Sequence, residues 1–370
     1  MSVLGQFVEY LRSTYSDPTV RLLDAVGDGA AAWPQRAAVS VLVGDATLDA
    51  RLATQRVRST FLGWSHDRRV AIVDRHPYVT ERAPTTFRVV AIVPTFNEAD
   101  VIADTLDYLV RDEVGVFVLD NWSTDATLDI VRRFSGRGLR GLERFPSDAP
   151  PAVYDLRAIL TRVEQLAANI DADWIVLHDA DERRRSPWPG VSLRDALYSV
   201  DLAGFNCIDH VTLNFWPVDN GYDDGTREIE SYFNYFEFSN HAGHFHQRRA
   251  WKKLPVPVSL AASAGHDCAF PGRRVFPYKF LLKHYPVRSQ SHGHRKVVDE
   301  RRARWNTAER ALGWHQQYDD ISSFVRDPSE LTFFDPKSFY ERRLIERLSG
   351  VGIFQAPPAW ATPPMWTTPA

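Results

Sequence analysis

Short apolar runs alternate with amphipathic stretches from Phe87 onward. The runs Phe87–Val93 and Val114–Leu119 are rich in β-branched residues and continuously apolar, as expected for strands buried on both faces. A polar turn follows each run, and apolar residues at helical spacing come next. Repetition of strand, turn and helix predicts a parallel sheet with right-handed crossover connections.

The stretch Trp174–Glu182 starts as another apolar run and ends in two carboxylates, Asp179 and Asp181. In an extended chain, residues two apart lie on the same side, so this pair is predicted to converge. The carboxyl end of a strand in an open α/β sheet borders the usual ligand crevice. Mg²⁺ and Mn²⁺ favour oxygen ligands of this kind, which makes the pair a candidate metal site. The alternative is a solvated acidic turn.

The remaining pattern divides the chain into four parts. Residues 1–84 carry short predicted helices and strands without a chemical motif, and we interpret them as an accessory region. Residues 85–290 form the predicted α/β domain, with later strands at Gly204–Phe215, Phe245–Trp251 and Phe280–Tyr285. Residues 291–350 are charged and mostly helical, and residues 351–370 form a Pro-rich tail.

Composition excludes several classes of protein. The chain has 370 residues, 44% hydrophobic and 25% charged, with a net charge of −3, so no basic footprint favours nucleic acid. No apolar run has the length of a membrane helix, and no secretory signal opens the chain, which predicts a cytoplasmic protein. Cys207 and Cys268 have neither disulfide-framework nor zinc spacing, and buried packing is expected for both.

Three polar turns therefore follow three predicted strands: Pro94–Glu98, Asp120–Asp125 and Asp179–Glu182. Loops at that edge of an α/β sheet build its site. In this order, the motifs Val93-Pro94-Thr95-Phe96-Asn97-Glu98, Leu119 to Thr127 (LDNWSTDAT) and His178-Asp179-Ala180-Asp181-Glu182 resemble the family 2 glycosyltransferases of the GT-A fold. The resemblance is strong over residues 87–185 and looser to about residue 290.

This resemblance implies a GT-A type, Rossmann-like, mostly parallel sheet flanked by helices, with an N-terminal appendage and a helical C-terminal extension. It implies a nucleotide-diphosphate sugar donor, a Mg²⁺ or Mn²⁺ ion and transfer of the sugar to an acceptor. Nucleotide-sugar binding is implied for Pro94, Thr95, Asn97, Glu98, Asp120, Asn121 and Asp179. Metal binding is implied for Asp179, Asp181 and a late histidine, His284.

The chain departs from the family because the Glu-Asp pair that supplies the catalytic base in many inverting members is not found. Asp267 is our first candidate for the base, since it follows a turn of small residues that can approach a substrate closely. Glu230, in a polar loop, is the second. A plain turn aspartate is the alternative for Asp267.

Several residues also have purely structural interpretations. Asp120 could cap the helix that follows the second predicted strand. Asn97 and Glu98 could belong to the first turn of the helix that follows the first predicted strand. His284 could be a packed histidine. The His241, His244 and His246 cluster lacks the partners of a zinc site, and the aromatic residues of 231–251 are either core or an acceptor platform.

Two other functions stay open at this point. A nucleotidyl- or sugar-phosphate transferase would also need metal and diphosphate, although no Gly-rich phosphate loop is present. A non-catalytic binding or scaffold protein could keep the fold without turnover.

Overall fold

A computed structural model describes residues 82–186, 191–222, 228–238, 247–276, 279–311 and 323–334. The elements predicted within residues 1–81, the histidine cluster at 241–246 and the Pro-rich tail lie outside these ranges.

The first sheet has six strands in the order β3-β2-β1-β4-β9-β6. Its parallel part consists of β1 (Val89–Thr95), β2 (Gly115–Asp120), β3 (Leu139–Arg144) and β4 (Trp174–Leu177). The strand β9 (Ala250–Lys252) runs antiparallel to β4 and to β6 (Cys207–Ile208). The predicted mixed α/β class and its mostly parallel sheet are therefore confirmed.

Helices cover both faces of this sheet. Successive side chains of β1 point to opposite faces, so its apolar residues must be buried on both. Val89, Ala91 and Val93 pack in the core shared with α1 (Ile102–Arg111) and α4 (Leu193–Leu202). Val90 and Ile92 pack on the other side, against α3 (Leu156–Asn169). The short helix α2 (Thr127–Arg132) follows β2 and buries Leu128 and Val131.

A second sheet, of five strands, has the order β11-β8-β7-β10-β5. It contains β5 (Glu182–Arg185), β7 (His210–Phe215), β8 (Tyr235–Phe238), β10 (Phe280–His284) and β11 (Thr332–Phe333). The single strand predicted at Gly204–Phe215 is wrong in this respect: it forms β6 and β7, which belong to different sheets. Asp209 separates them and receives hydrogen bonds from the backbone N–H groups of His210 and Gln247.

The chain after β10 folds back over the first sheet's carboxyl edge. It forms α6 (Gln290–Gly293), a π-helix (His294–Arg301) and a 3₁₀ turn (Arg302–Arg304), as the sequence predicts for a helical segment. The helix α7 (Thr307–Ala311) follows, and β11 then pairs with β8. Smaller elements are α5 (Ile229–Tyr232) and the 3₁₀ turns Ala261–Ser263 and Pro328–Glu330.

No helix in the described ranges has the length and apolar character needed to cross a bilayer.

Candidate functional site

The turns after β1 and β2 are tied to each other at the carboxyl edge of the first sheet. Asn97 has a left-handed backbone conformation (φ 53°), which a short polar side chain tolerates. Its N–H donates to Ser123 Oγ (3.0 Å), and its Oδ1 accepts from the N–H of Thr124 (2.8 Å). The N–H of Asn121 donates to the carbonyl of Thr95 (2.8 Å). The structure therefore brings these predicted nucleotide-binding residues together.

Asp120 is fully buried at the end of β2. Its carboxylate accepts from the N–H of Ser123 (3.1 Å to Oδ2) and lies 3.6 Å from Arg144 Nε. Burial raises the pKa of Asp120, and the Ser123 and Arg144 contacts only partly oppose this effect. The side chain thus closes its own turn, and it lies beside the packed pair formed by Arg144 and Trp122.

The turn between β4 and β5 carries both carboxylates of the Asp-x-Asp pair. Because β4 ends at Leu177, strand alternation does not extend to this pair, and the two side chains have different cationic partners. Asp179 Oδ2 accepts from Arg249 Nη1 (2.7 Å), and Asp181 Oδ2 accepts from Lys296 Nζ (2.7 Å). Asp179 is the more accessible residue, with its side chain 41% exposed against 9% for Asp181.

These cations control the charge of the pair. Burial raises the pKa of each carboxyl, but the Arg249 guanidinium outweighs it at Asp179 and the Lys296 ammonium outweighs it at Asp181. The pKa of both groups is therefore lowered, and both are ionised at neutral pH.

Glu182, the last acidic residue of the motif, behaves in the opposite way. Its carboxylate accepts from Arg184 Nη2 (2.6 Å) and lies 3.4 Å from Arg249 Nη1. Burial and the neighbouring charge of Asp179 raise its pKa to about 7 in spite of the two guanidinium groups. Sequence reasoning gave Glu182 no role, although three consecutive arginines after it signalled an ionic cluster.

His284, at the end of β10, faces the same turn. Its Nδ1 lies 2.9 Å from Asn214 Oδ1, an acceptor, so Nδ1 carries the proton. The other nitrogen, Nε2, lies 3.8 Å from Asp181 Oδ1. Burial lowers the pKa of His284 more than Asp181 raises it, which keeps the ring neutral. A neutral ring with its lone pair directed at a carboxylate has the donor chemistry of a metal ligand.

A set of three candidate ligands within 4.8 Å occurs elsewhere in the described residues: Glu98, Asp100 and His292. Arg288 Nη2 donates to both carboxylates, at 2.8 Å each, and already supplies their counter-charge. His292 Nδ1 accepts from the N–H of Arg288 (3.3 Å), which leaves the proton on Nε2. This set is an ion-pair cluster. Within the described residues, Asp179, Asp181 and His284 do not form a set whose ligand atoms all lie within 4.8 Å of one another.

The segment after β10 supplies site residues that the sequence prediction missed. Lys296 Nζ bridges Asp181 and Glu98, and Glu300 Oε1 accepts from Asn97 Nδ2 (3.0 Å). Arg304 Nη2 donates to Asn121 Oδ1 (2.8 Å). Clustered basic residues in a charged helical pattern were the available signal, but nothing in that pattern indicates which sheet edge the helix covers.

Both candidate bases are ion-paired. Asp267 Oδ1 lies 2.6 Å from Arg273 Nη1 and 3.4 Å from Arg248 Nη1. Glu230 Oε1 lies 2.7 Å from Lys283 Nζ. Burial raises the pKa of Glu230, but Lys283 and Arg185 outweigh it and bring it to about 2, which makes Glu230 a weak base.

Two structural expectations can be checked in the described residues. Cys207 and Cys268 are buried and free, with their Sγ atoms 3.6 Å apart, so the packing prediction is confirmed. Of the aromatic run, Phe233 and Phe236 are buried and pack against Tyr285 and Phe215, which makes them core residues.

The chain's similarity to known proteins agrees with the motif analysis. Residues 90–144 match the family model described as Glycosyl transferase family 2. The match covers β1 to β3 and confirms the resemblance that the sequence motifs indicate. No curated protein matches the chain.

Among solved structures, S. aureus TarS is 22% identical, with a TM-score of 0.25 over 38% of this chain and 23% of that chain. S. aureus TarS 1-349 in complex with UDP-GlcNAc is 21% identical, with a TM-score of 0.26 over 37% and 36% of the two chains. S. aureus TarS 1-349 is 13% identical, with a TM-score of 0.31 over 71% and 81%. This chain thus covers under two fifths of the length of TarS and of the TarS 1-349 complex with UDP-GlcNAc. These similarities are too low to assign a ligand to this chain.

Proposed function

We propose that the protein is a glycosyltransferase that moves a sugar from a nucleotide-diphosphate donor to an acceptor with the help of Mg²⁺ or Mn²⁺. The observation that carries this proposal is the junction of three turns. The turns after β1 and β2, which lie within the family match, are hydrogen-bonded to each other. Lys296 joins the β1 turn to the Asp-x-Asp turn. A nucleotide and its diphosphate need adjoining sites of this kind.

The donor's base and ribose would bind at the first two turns. Pro94, Thr95 and Asn97 supply the wall beside β1, and Asp120 and Asn121 supply the wall beside β2. Glu98 borders this region on the side of the Asp-x-Asp turn, because its carboxylate contacts Lys296, which also contacts Asp181.

We assign the metal to Asp181 and His284. Asp181 Oδ2 is bound to Lys296, while Oδ1 and His284 Nε2 face each other at 3.8 Å. Asp179, more exposed and held by Arg249, would complete the set or contact the sugar diphosphate. When bound, a divalent ion would stabilise the negative charge of the leaving diphosphate.

The residues of the chain orient the other participants. Arg249 fixes the Asp179 carboxylate, and Asn214 fixes the tautomer of His284. For acceptor activation we keep Asp267 as the first candidate base and Glu230 as the second, since the pKa of Glu230 near 2 disfavours proton uptake.

The deciding experiment is donor hydrolysis and transfer with purified protein, a panel of nucleotide sugars and Mn²⁺. Release of a nucleoside diphosphate together with free or transferred sugar supports the proposal. Release of sugar phosphate or pyrophosphate would instead indicate a nucleotidyl- or sugar-phosphate transferase. Binding without any product would indicate a non-catalytic protein.

A further inference from the structure

The Lys296 ammonium occupies a buried position between two parts of the site. Its Nζ lies 2.9 Å from Glu98 Oε1 and 2.7 Å from Asp181 Oδ2, and its side chain is only 6% exposed. Glu98 belongs to the turn after β1, and Asp181 belongs to the turn after β4. Lys296 therefore marks the point at which the nucleotide side of the site meets the Asp-x-Asp side.

The ammonium stays charged in this position. The carboxylates of Asp181 and Glu98, both in contact with Nζ, stabilise the ammonium form. Its Nζ donates a hydrogen bond to Asp181 Oδ2 and forms an ion pair with Glu98 Oε1. An ammonium group has three N–H donors, so Lys296 can donate to a further acceptor as well.

The backbone around Lys296 is unusual in a way that suits a site residue. His294–Arg301 is a π-helix, a rare form that occurs frequently at functional sites. The same helical segment places Glu300 on Asn97 and Arg304 on Asn121. Lys296 thus belongs to a segment that contacts the predicted nucleotide turns along its length.

We infer that Lys296 binds the diphosphate of the donor directly. This inference rests on the proposed function: a diphosphate that links a base at the first two turns to a sugar near Asp179 must pass the junction that Lys296 occupies. Lysine acts there as a compact point charge, a common mode of phosphate recognition. Because Lys296 belongs to the chain, part of the affinity for diphosphate is independent of metal.

The test compares nucleoside diphosphates with their nucleosides by calorimetry in EDTA, using UDP against uridine and GDP against guanosine. For whichever of the two bases it binds, the wild-type protein should bind the nucleoside diphosphate more tightly than the nucleoside. Lys296→Gln keeps hydrogen-bond donors for Glu98 and Asp181 but removes the charge, and it should reduce this preference by about tenfold or more. Lys296→Arg should retain most of it.

Lys252→Gln is the matched control. Lys252 also forms an ammonium–carboxylate pair, with Asp201, but at the opposite end of β4, since its register partner is Trp174. Its substitution should leave the preference unchanged. If Lys296→Gln does not fold, the double variant Glu98→Gln/Lys296→Gln is compared with Glu98→Gln alone. Glu98→Gln removes one of the carboxylates that face Lys296.

An unchanged preference in a folded Lys296→Gln protein would overturn the inference and leave the proposed function standing. Diphosphate binding by the wild type only when Mn²⁺ is present would have the same meaning. If the wild type binds no nucleoside diphosphate under either condition, the proposed function itself fails, and the inference fails with it.

Discussion

Arg249 holds Asp179 in place, with Nη1 of the guanidinium 2.7 Å from Oδ2 of the carboxylate. The guanidinium also donates through Nε to the carbonyl of Gly265 (2.7 Å). This contact connects the Asp-x-Asp turn to the loop that carries Asp267. Asp181 has no part in the connection, because its carboxylate turns towards Lys296 and His284. The two carboxylates of the Asp-x-Asp motif therefore contact different groups.

This division predicts unequal effects of the two alanine substitutions. Asp181→Ala should abolish metal-dependent donor binding, since it removes the carboxylate that faces His284. Asp179→Ala should only weaken it. Calorimetry with UDP and Mn²⁺ measures both affinities, and Asp201→Ala serves as an acidic control in a pair with Lys252 at the opposite end of β4. Unchanged affinity in Asp181→Ala would refute the metal assignment.

Asp120→Ala should weaken nucleotide binding equally with and without metal. The carboxylate is buried at the end of β2 and contacts Ser123 and Arg144, neither of which belongs to the metal region. Titration of the nucleoside diphosphate in Mn²⁺ and in EDTA tests this expectation. An effect present only with Mn²⁺ would place Asp120 in the metal shell. Thermal melting of the variant separates lost binding from a disordered turn.

The sequence predicted the elements whose signals are local. The apolar run and polar turn around Asp120 indicate a buried strand and its exit, and the structure has β2 ending at that residue. The helix α3 depends on local signals in the same way: its buried apolar residues recur at helical spacing, and Asp155 is its N-cap. Both depend on neighbouring residues, whose order the sequence shows directly.

Long-range contacts could not be predicted in the same way. Lys296 lies 115 positions from its partner Asp181, and no periodicity in either segment encodes that meeting. The expected convergence of Asp179 and Asp181 assumed continued strand geometry, whereas the chain turns after Leu177 to enter a second sheet. Which cations pair with these carboxylates is decided by tertiary packing.

His284→Ala should lower metal affinity without unfolding the protein. The ring is neutral, its tautomer is fixed by Asn214, and its side chain keeps partial exposure, so few packing contacts are lost. Mn²⁺ titration followed by electron paramagnetic resonance gives the affinity, and a melting curve gives the stability. A melting temperature several degrees lower, with normal Mn²⁺ binding, would show that His284 is a packing residue.

Acid should destabilise the fold through His210. Burial, assisted by Arg184, lowers the pKa of His210 well below its ordinary 6.5, and Nδ1–H donates to the carbonyl of Gln247 (2.7 Å). Below pH 6.5 the unfolded chain takes up a proton that the folded chain refuses, so stability falls as pH falls. The loss is roughly 1 kcal/mol per pH unit below that value.

Glu182 works in the opposite direction, because its raised pKa favours the folded state as pH falls from about 7 towards its ordinary 4.5. Urea unfolding at about pH 7.5 and about pH 5.5 measures the net change. His210→Gln, which keeps a hydrogen-bond donor, should make the fall in stability with falling pH less steep. His294→Gln, at an exposed site, is the control for replacing a histidine by glutamine.

Asp267→Asn should keep donor binding and reduce sugar transfer by about 10²–10⁴-fold, the usual contribution of a general base. Asp267 contacts Arg273 and Arg248, whereas the neighbouring Arg249 turns to Asp179, so the substitution should leave the donor site intact. Glu230→Gln provides the comparison: with a pKa near 2, Glu230 should contribute little as a base.

Transfer rates at saturating donor, together with donor affinities, measure the two effects separately. A loss smaller than about tenfold in Asp267→Asn would exclude Asp267 as the base. Retention of the anomeric configuration in the product, determined by NMR, would remove the need for a base of this type.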